Sequence, residues 1–454
     1  MTQNLSIPSG ITARAASFTV ERTLRFPPEA LALARLSIYD CLSVASAGAQ
    51  EPVSRAVREL VRTEAGAPQA SAFGLAQRVP ARAAALLNGA VAHALDYDDT
   101  HFDFVGHPSV TVLPAALAVA EQQQACGKAL LESFLIGVEI TCRVGAWLGR
   151  SHYNAGFHQT ATSGAFGATA VAARLLNLDG ERASHAFGVA ATRASGLKCQ
   201  FGTMAKPFHA GMAASTGVEA ANLAALGFVS RTDALTCVGG FADTHSGRQD
   251  ATEDAFAGLP DTFHFARIQH KFHACCHGTH PALEALTAVR HKHLLQPDDI
   301  ARIMLTVAPQ WLSVCCIAQP ATGLEAKFSL ALTAAMTLAG LNTAALASFS
   351  DANCRNPTLV NLARRVEIIA DPSMADTACH GAVVTKSGAT LTAAVDVNRP
   401  LPYAIRAAKL RSKAKALLGA QRAEALWELI DTLEAQEAPV LYPRLHAWMA
   451  GGAA

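Results

Sequence analysis

The chain has little charge, and what it has is balanced. Asp, Glu, Lys and Arg make up 16% of 454 residues, 37 basic against 36 acidic. That balance offers no basic face for nucleic acid and no polybasic patch for a membrane surface. Long apolar runs are scarce too. Charges, Gly or Pro interrupt them short of a spanning length, so no membrane partner is expected. The opening residues, MTQNLSIPSGITARAASF, lack a basic segment leading into an apolar one, and no signal peptide is read there. No GxGxxG opens a βαβ unit and no GxxxxGK[ST] occurs, which removes dinucleotide and P-loop chemistry. The 11 cysteines are an odd number scattered through a long chain. That is thiol usage of a reducing compartment rather than a disulfide framework, so the cytoplasm is expected.

What is abundant is apolar: 51% of residues are hydrophobic. Ala and Leu favour helix, and a chain of this length predicts two or three domains with surface left for an oligomer interface. Helical periodicity covers 27–47, 53–63, 113–124, 130–148, 160–176, 180–192 and 209–226. Pro27 and Pro28 mark the first start, and Gly66-Ala67-Pro68 breaks the second helix. No strand is read before about 265. The composition then shifts. Segments 301–309, 364–371 and 382–397 alternate β-branched residues, and Lys386-Ser387-Gly388 reads as a hairpin turn. Helices at 281–291 and 327–339 intervene. After Pro400-Leu401-Pro402 the pattern is helical again, at 404–418, 422–435 and 440–449. The expected fold is mainly α with an α+β part: a helical domain at 1–267, an α+β lid domain at 268–402, and helices at 403–454 returning to the first domain.

The densest run of ionisable groups lies in LNGAVAHALDYDDTHFDFVGHPSVTVLP (87–114), which holds Asp96, Asp98, Asp99, Thr100, His101, Asp103 and His107. A solvated loop would explain it. A functional cluster explains it better in a chain this poor in charge. Three other stretches stand out. SHYNAGFHQTATSGAFGA (151–168) carries Tyr153 and His158, which could equally be polar tips in a core. FGTMAKPFHAG (201–211) carries Lys206 and His209. Its apolar neighbours would make Lys206 a poised base or an anion anchor if it were buried. HKFHACCHGTHPALEAL (270–286) carries Lys271, Cys276 and His277 among further His and Cys. Its spacing fits no paired CxxC pattern, and adjacent cysteines are awkward on one tetrahedral ion, so no metal is expected. His, Lys, Tyr, Asp and Thr without a metal or nucleotide motif suit proton transfer beside a carboxylate or carbonyl.

On the motifs NGAVAHALDYDDTH and GHPS (88–109), GFHQTATSGAFGATA (156–170), FGTMAKPFHAG (201–211), CCHGTHPALEAL (275–286) and EAKFSLALTAAMTLAG (325–340), the chain resembles the MmgE/PrpD family. That family includes 2-methylcitrate dehydratases, cis-aconitate decarboxylases and iminodisuccinate epimerases. The resemblance implies a helical domain from both chain ends, a smaller α+β lid, a homodimer, and catalysis without metal or organic cofactor in a cleft between the domains. It places Asp96, Thr100, His107, His158 and Lys206 in the pocket, and Tyr153 with Lys206 where epimerases keep a two-sided acid/base pair. It also marks two departures: Cys276, followed by His277, where decarboxylases carry a histidine, and Leu332 where they carry a tyrosine.

The expectation is a cofactor-independent enzyme acting on a small di- or tricarboxylate. Tyr153, His158, Lys206 and His107 do the chemistry. Asp96, Thr100, His209, Lys271, Cys276 and His277 bind substrate, with Asp96 orienting a histidine and Thr100 donating a hydrogen bond. The reaction expected is that of a hydro-lyase of the 2-methylcitrate dehydratase kind. The alternatives are an amino-dicarboxylate epimerase, a cis-aconitate decarboxylase, or an inactive dimer that only binds a carboxylate.

Overall fold

The computed structural model describes residues 10–245 and 256–451. They form two compact units, Met1–His270 with Gln421–Ala454, and Lys271–Ala420. The mainly α chain with a small α+β part is what the structure contains.

The first unit is helical throughout its described residues; the only β pairings there are isolated bridges. Its core helices are Ala81–Ala92, Ser109–Gln122, Gly127–Asn154, Gln159–Leu175 and Ala205–Ala225. They are rich in Ala and Gly, so backbones meet directly. At Gly89 an added Cβ would stand 2.7 Å from Gly211 Cα, and at Gly211 it would stand 2.2 Å from Leu86 O. Only hydrogen side chains allow that crossing. It lies about one turn before His93 on one helix and one to two turns after Lys206 on the other, and so sets how near those groups come.

Helix Gly127–Asn154 was expected to stop at 148. Gly149 has φ +68, which bends the chain there, and a further turn carries His152 and Tyr153. The C-terminal segment returns to this unit. Tyr39 meets Trp427 edge-on at 5.1 Å, and Tyr442 donates from its hydroxyl to Ala125 O at 2.6 Å. Helix Pro28–Gly48 corrects one sequence expectation. By length and composition it could cross a membrane, but 72% of its apolar window is buried inside the protein, where it serves as a core helix.

The second unit holds a four-stranded sheet. Strands β1 (Ile300–Val307), β2 (Val366–Ala370), β3 (Ala378–Thr385) and β4 (Thr390–Asp396) run in the order β2-β1-β3-β4. The β1–β2 pair is parallel, the others antiparallel. Gly388, at φ +88, turns the β3–β4 hairpin at the place the sequence indicated. Leu286 and Val289 of helix His280–His293 join Ile303, Leu305, Val307 and Val383 in one apolar core. The helix expected at 327–339 is split. Ser329 caps Leu330–Leu338 by accepting from Leu332 N at 3.1 Å, a bond that favours a helix start over a helix interior.

The division at Ala420 differs from the boundary expected at 402. Helix Tyr403–Leu418 stays with the second unit. Lys409 reaches from it to Glu284, with Nζ 2.5 Å from Oε2, and lies 4.9 Å over the Phe272 ring. Burial alone would raise the Glu284 carboxyl; the His273 hydrogen bond and the Lys409 ammonium bring it down to about 2. A paired carboxylate this well held fixes that helix to its own unit.

Candidate active site

The run that looked like a polar loop is not solvated. Within it Asp98, Asp99 and His101 are buried, as is His93 just before it. Asp99 accepts from Ser109 N at 3.3 Å and Ser109 Oγ at 2.5 Å, at the first turn of helix Ser109–Gln122. Its burial, with the neighbouring charges of Asp98 and Asp40, pushes the carboxyl up to about 8. Asp99 is therefore a neutral acid at pH 7 and does structural work.

Asp98 is the centre of the arrangement. Its Oδ1 is 2.9 Å from His93 Nδ1, and its Oδ2 is 2.9 Å from His107 Nδ1. Burial alone would push Asp98 up, but the two imidazoles outweigh it and hold the carboxyl well below the usual range. His107 Nε2 is 3.4 Å from Asp96 Oδ1, and Lys206 Nζ is 2.8 Å from Asp96 Oδ2. Asp96, expected to orient a histidine, does lie against His107 Nε2, but it shares that ring with the buried Asp98, and the exposed Asp96 also pairs with the Lys206 ammonium.

His158 stands at the N-terminus of helix Gln159–Leu175, and His209 lies in the first two turns of helix Ala205–Ala225. Their Nδ1 atoms are 3.1 Å apart, one donating to the other. The His158 ring stacks on His93 at 6.0 Å and meets Phe201 edge-on at 4.9 Å. Burial first, and then its neighbours His93, Lys206, His107 and His209, hold His158 well below the ordinary histidine range. Burial does the same for His209. Two neutral imidazoles thus stand near an ammonium. Lys206 itself has side-chain exposure of only 16%, but its setting is not the wholly apolar one its sequence neighbours suggested, because Asp96 pairs with it.

Tyr153 lies at the border. The lysine against it is Lys198, whose Nζ sits 3.6 Å over the ring and donates to Tyr153 O at 3.0 Å. Burial raises the phenol and Asp96 adds to that, against Arg150. Thr100 is spent elsewhere. Its backbone pairs with Gln269 in both directions at 2.8 Å, and its hydroxyl lies 3.5 Å from Gln269 O. Its backbone thus anchors the 268–270 segment to the start of the loop.

Lys271, Cys276 and His277 belong to the second unit. Lys271 is buried there. Cys276 donates from its backbone N to Lys327 O at 3.0 Å. His277 packs against His280 at 4.8 Å. In the first unit, then, the structure gathers Asp96, His107, His158, Lys206 and His209. It adds His93, which sequence reasoning missed, and Asp98, which it placed in the ionisable run without a role. Their signal was visible: a histidine closing an apolar helix, five residues before an aspartate, inside the chain's densest ionisable run.

His93, Asp96, Asp98 and His107 bring one ligand atom each within 4.8 Å of one another, a spacing a divalent ion could use. The set is already balanced without one. Both Asp98 oxygens are engaged by imidazoles, and the Lys206 ammonium sits on Asp96. An ion there would have to displace those contacts, so the donor set fits a hydrogen-bonded proton site better than a metal centre.

Two family signatures cover most of the chain. The MmgE/PrpD N-terminal domain matches residues 14–254, and the MmgE/PrpD C-terminal domain matches 273–435. The chain belongs to the MmgE/PrpD family. Among curated MmgE/PrpD proteins it is similar to the cis-aconitate decarboxylase of Homo sapiens, 29% identical over 380 residues, 79% of this chain and 77% of that protein. It is similar to the cis-aconitate decarboxylase of Aspergillus terreus, 28% identical over 382 residues, 79% and 78% of the two chains. The enzyme of that name from Mus musculus is 26% identical over 440 residues, 87% and 85%.

Proposed function

We propose that this MmgE/PrpD protein is a lyase that moves a proton at a carbon next to a carboxylate of a small di- or tricarboxylate. The observation that carries the reading is the grouping of one ammonium, Lys206, with the neutral imidazoles His158 and His209 and the carboxylate-held His107. In this reading Lys206 exchanges its Asp96 partner for a substrate carboxylate. His107 turns its Nε2 to the same anion or to the proton that moves. His158, kept neutral by burial, accepts a proton at neutral pH, as a general base must. Positive charge fixed beside the reacting carbon stabilises the enolate-like state.

For the bond that breaks, our reading is C–O: a hydro-lyase of the 2-methylcitrate dehydratase kind. Decarboxylation is the second reading, favoured by the relatives named as cis-aconitate decarboxylases. Cys276 and Leu332 stand against it: Leu332 cannot donate a proton where decarboxylases carry a tyrosine, and Cys276 puts a thiol where they carry a histidine. Epimerisation is the third reading; there Tyr153, with Lys198 lying 3.6 Å over its ring, and Lys206 would face the α-carbon from opposite sides. A homodimer is part of the proposal, and light scattering that returned a single 47.4 kDa chain would remove it.

The deciding experiment is proton NMR in heavy water with 2-methylcitrate, cis-aconitate and an amino-dicarboxylate. Loss of water gives a new alkene signal. Decarboxylation gives a shortened acid and released carbon dioxide. Epimerisation gives α-deuteration alone. No change with any acid of the panel would refute the enzyme reading and leave a protein that only binds carboxylates.

A further inference from the structure

Asp98 does something that neither the family motifs nor the proposed chemistry requires: it holds two imidazoles at once. Each of its oxygens lies 2.9 Å from an Nδ1: the His93 contact is a hydrogen bond, and the His107 contact is an ion-pair contact off hydrogen-bond geometry. An ionised carboxylate can only accept. An Nδ1 this close to a carboxylate oxygen carries its proton, so Nε2 is the atom of each ring that gains or gives one. For His107 that atom faces Asp96 Oδ1, on the side where Lys206 lies. For His93 it is buried and has no hydrogen-bond partner among the described residues.

His93 therefore makes its one polar contact backward, to Asp98, and both of its side-chain neighbours among the rings are functional candidates. Its centroid is 4.6 Å from that of His107 and 6.0 Å from that of His158. With a side-chain exposure of 0%, it is not placed to touch a ligand. What it can do is hold the carboxylate. An Asp gripped through one oxygen can still turn about its last torsion, whereas one gripped through both cannot. The His107 ring is tied to that carboxylate and inherits its orientation.

We propose that Asp98 and His93 are positioning residues for His107: Asp98 locks the His107 ring in the Nδ1–H form with Nε2 presented, and His93 locks Asp98. The effect on turnover rests on the reading of His107 as a substrate-facing group; the lock itself does not. Without His93, one Asp98 oxygen would be a buried and unpaired charge, and the carboxylate would rotate or take up a proton. In either case His107 loses its fixed tautomer. A buried partner that orients a reactive histidine is commonly worth about 10- to 100-fold in activity, and replacing an orienting carboxylate by its amide costs more.

The test begins with the full chain, labelled selectively with 15N-histidine. The nitrogen shifts of His93 and His107 are assigned by comparison with His93→Gln and His107→Gln. Both rings should be in the Nδ1–H form. A His107 ring found in the Nε2–H form overturns the proposal, and this measurement needs neither substrate nor a folded Asp98 variant. The second arm uses whichever acid of the NMR panel is turned over. Asp98→Asn should lower kcat at least about 100-fold with KM changed less than about threefold. His93→Phe keeps a ring but no donor, and should lower kcat about 10- to 100-fold. His93→Gln restores a donor toward Asp98 and should recover most of that loss. If His93→Phe leaves kcat unchanged, or if His93→Gln is as poor as His93→Phe, the positioning role is wrong. If no acid is turned over while the tautomers are as expected, the lyase reading fails and the lock stands.

Discussion

Replacing Lys206 with Met separates binding from stability. The Lys206 ammonium lies 2.8 Å from Asp96 Oδ2, and the Asp96 side chain is 48% exposed. At that distance two unit charges interact by about 1.5 kcal/mol at the dielectric of water and about 6 kcal/mol at an effective value of 20. Half of the pair is in solvent, so the low end applies, and side-chain ordering reduces it further, to about 0.5–1 kcal/mol. Lys206→Met should therefore lower the thermal midpoint by no more than a few degrees. Binding is another matter. A charged hydrogen bond to a bound carboxylate is worth about 1.5–3 kcal/mol, which is roughly 10- to 150-fold in affinity. Calorimetric titration of the wild type and of Lys206→Met with citrate and cis-aconitate measures this directly. The reasoning requires a loss of at least about tenfold with a fold that survives. Equal affinities would remove Lys206 from the site, and a variant that unfolds would show that the ion pair is structural instead.

Three further outcomes follow from the same geometry. Asp99 keeps its proton in the native state up to about pH 8, against 3.8 in the unfolded chain; the native state therefore binds more protons in between, and the stability this gives is whole below about pH 4 and is lost as pH rises through about 8. The gap corresponds to on the order of 5 kcal/mol, so Asp99→Asn should flatten the decline in urea midpoint between pH 5 and 9, and parallel profiles would refute the assignment. Glu284, held at about 2 instead of 4.5, has the opposite sign: its contribution is present above pH 4.5 and is lost as pH falls through about 2. Lys409→Met should shift that loss to higher pH, cost about 1–2 kcal/mol because the lysine side chain is 31% exposed, and raise hydrogen exchange in 403–418; exchange unchanged there would mean that other contacts hold the helix. Gly211→Ala puts a Cβ 2.2 Å from the carbonyl of Leu86, so it should destabilise by about 3 kcal/mol or more, whereas the same change at Gly180, where nothing lies within 4 Å, should be close to neutral by denaturant titration.

Much of the helical body was legible because its signals are local. The apolar stripe of 27–47, the break at Gly66 to Pro68 and the hairpin at Lys386 to Gly388 are each set within a few residues, and the structure has them. Where reading stopped short, the cause was also local but weaker. Gly149 bends a helix without ending it, and Ser329 starts a helix inside a stretch whose apolar pattern runs through it. The short helix Ile11–Val20 was not anticipated at all; its low polarity gave no capping signal.

The sequence by itself determined which chemistry is available. It placed an unusual density of Asp and His between two apolar helices, and a lysine and two histidines at the starts of two more. It could not say which carboxylate meets which base. Asp96 and Asp98 are two residues apart and look alike in a sequence, yet one faces the Lys206 ammonium and the other is sealed between two imidazoles. Likewise nothing in the sequence put Lys198 on Tyr153, and only the folded chain lays its ammonium over that ring. The reason is distance. Periodicity and capping act over a single turn, whereas these pairings depend on how closely whole helices cross, and that is fixed by contacts such as Gly89 against Gly211, more than a hundred residues apart in the chain.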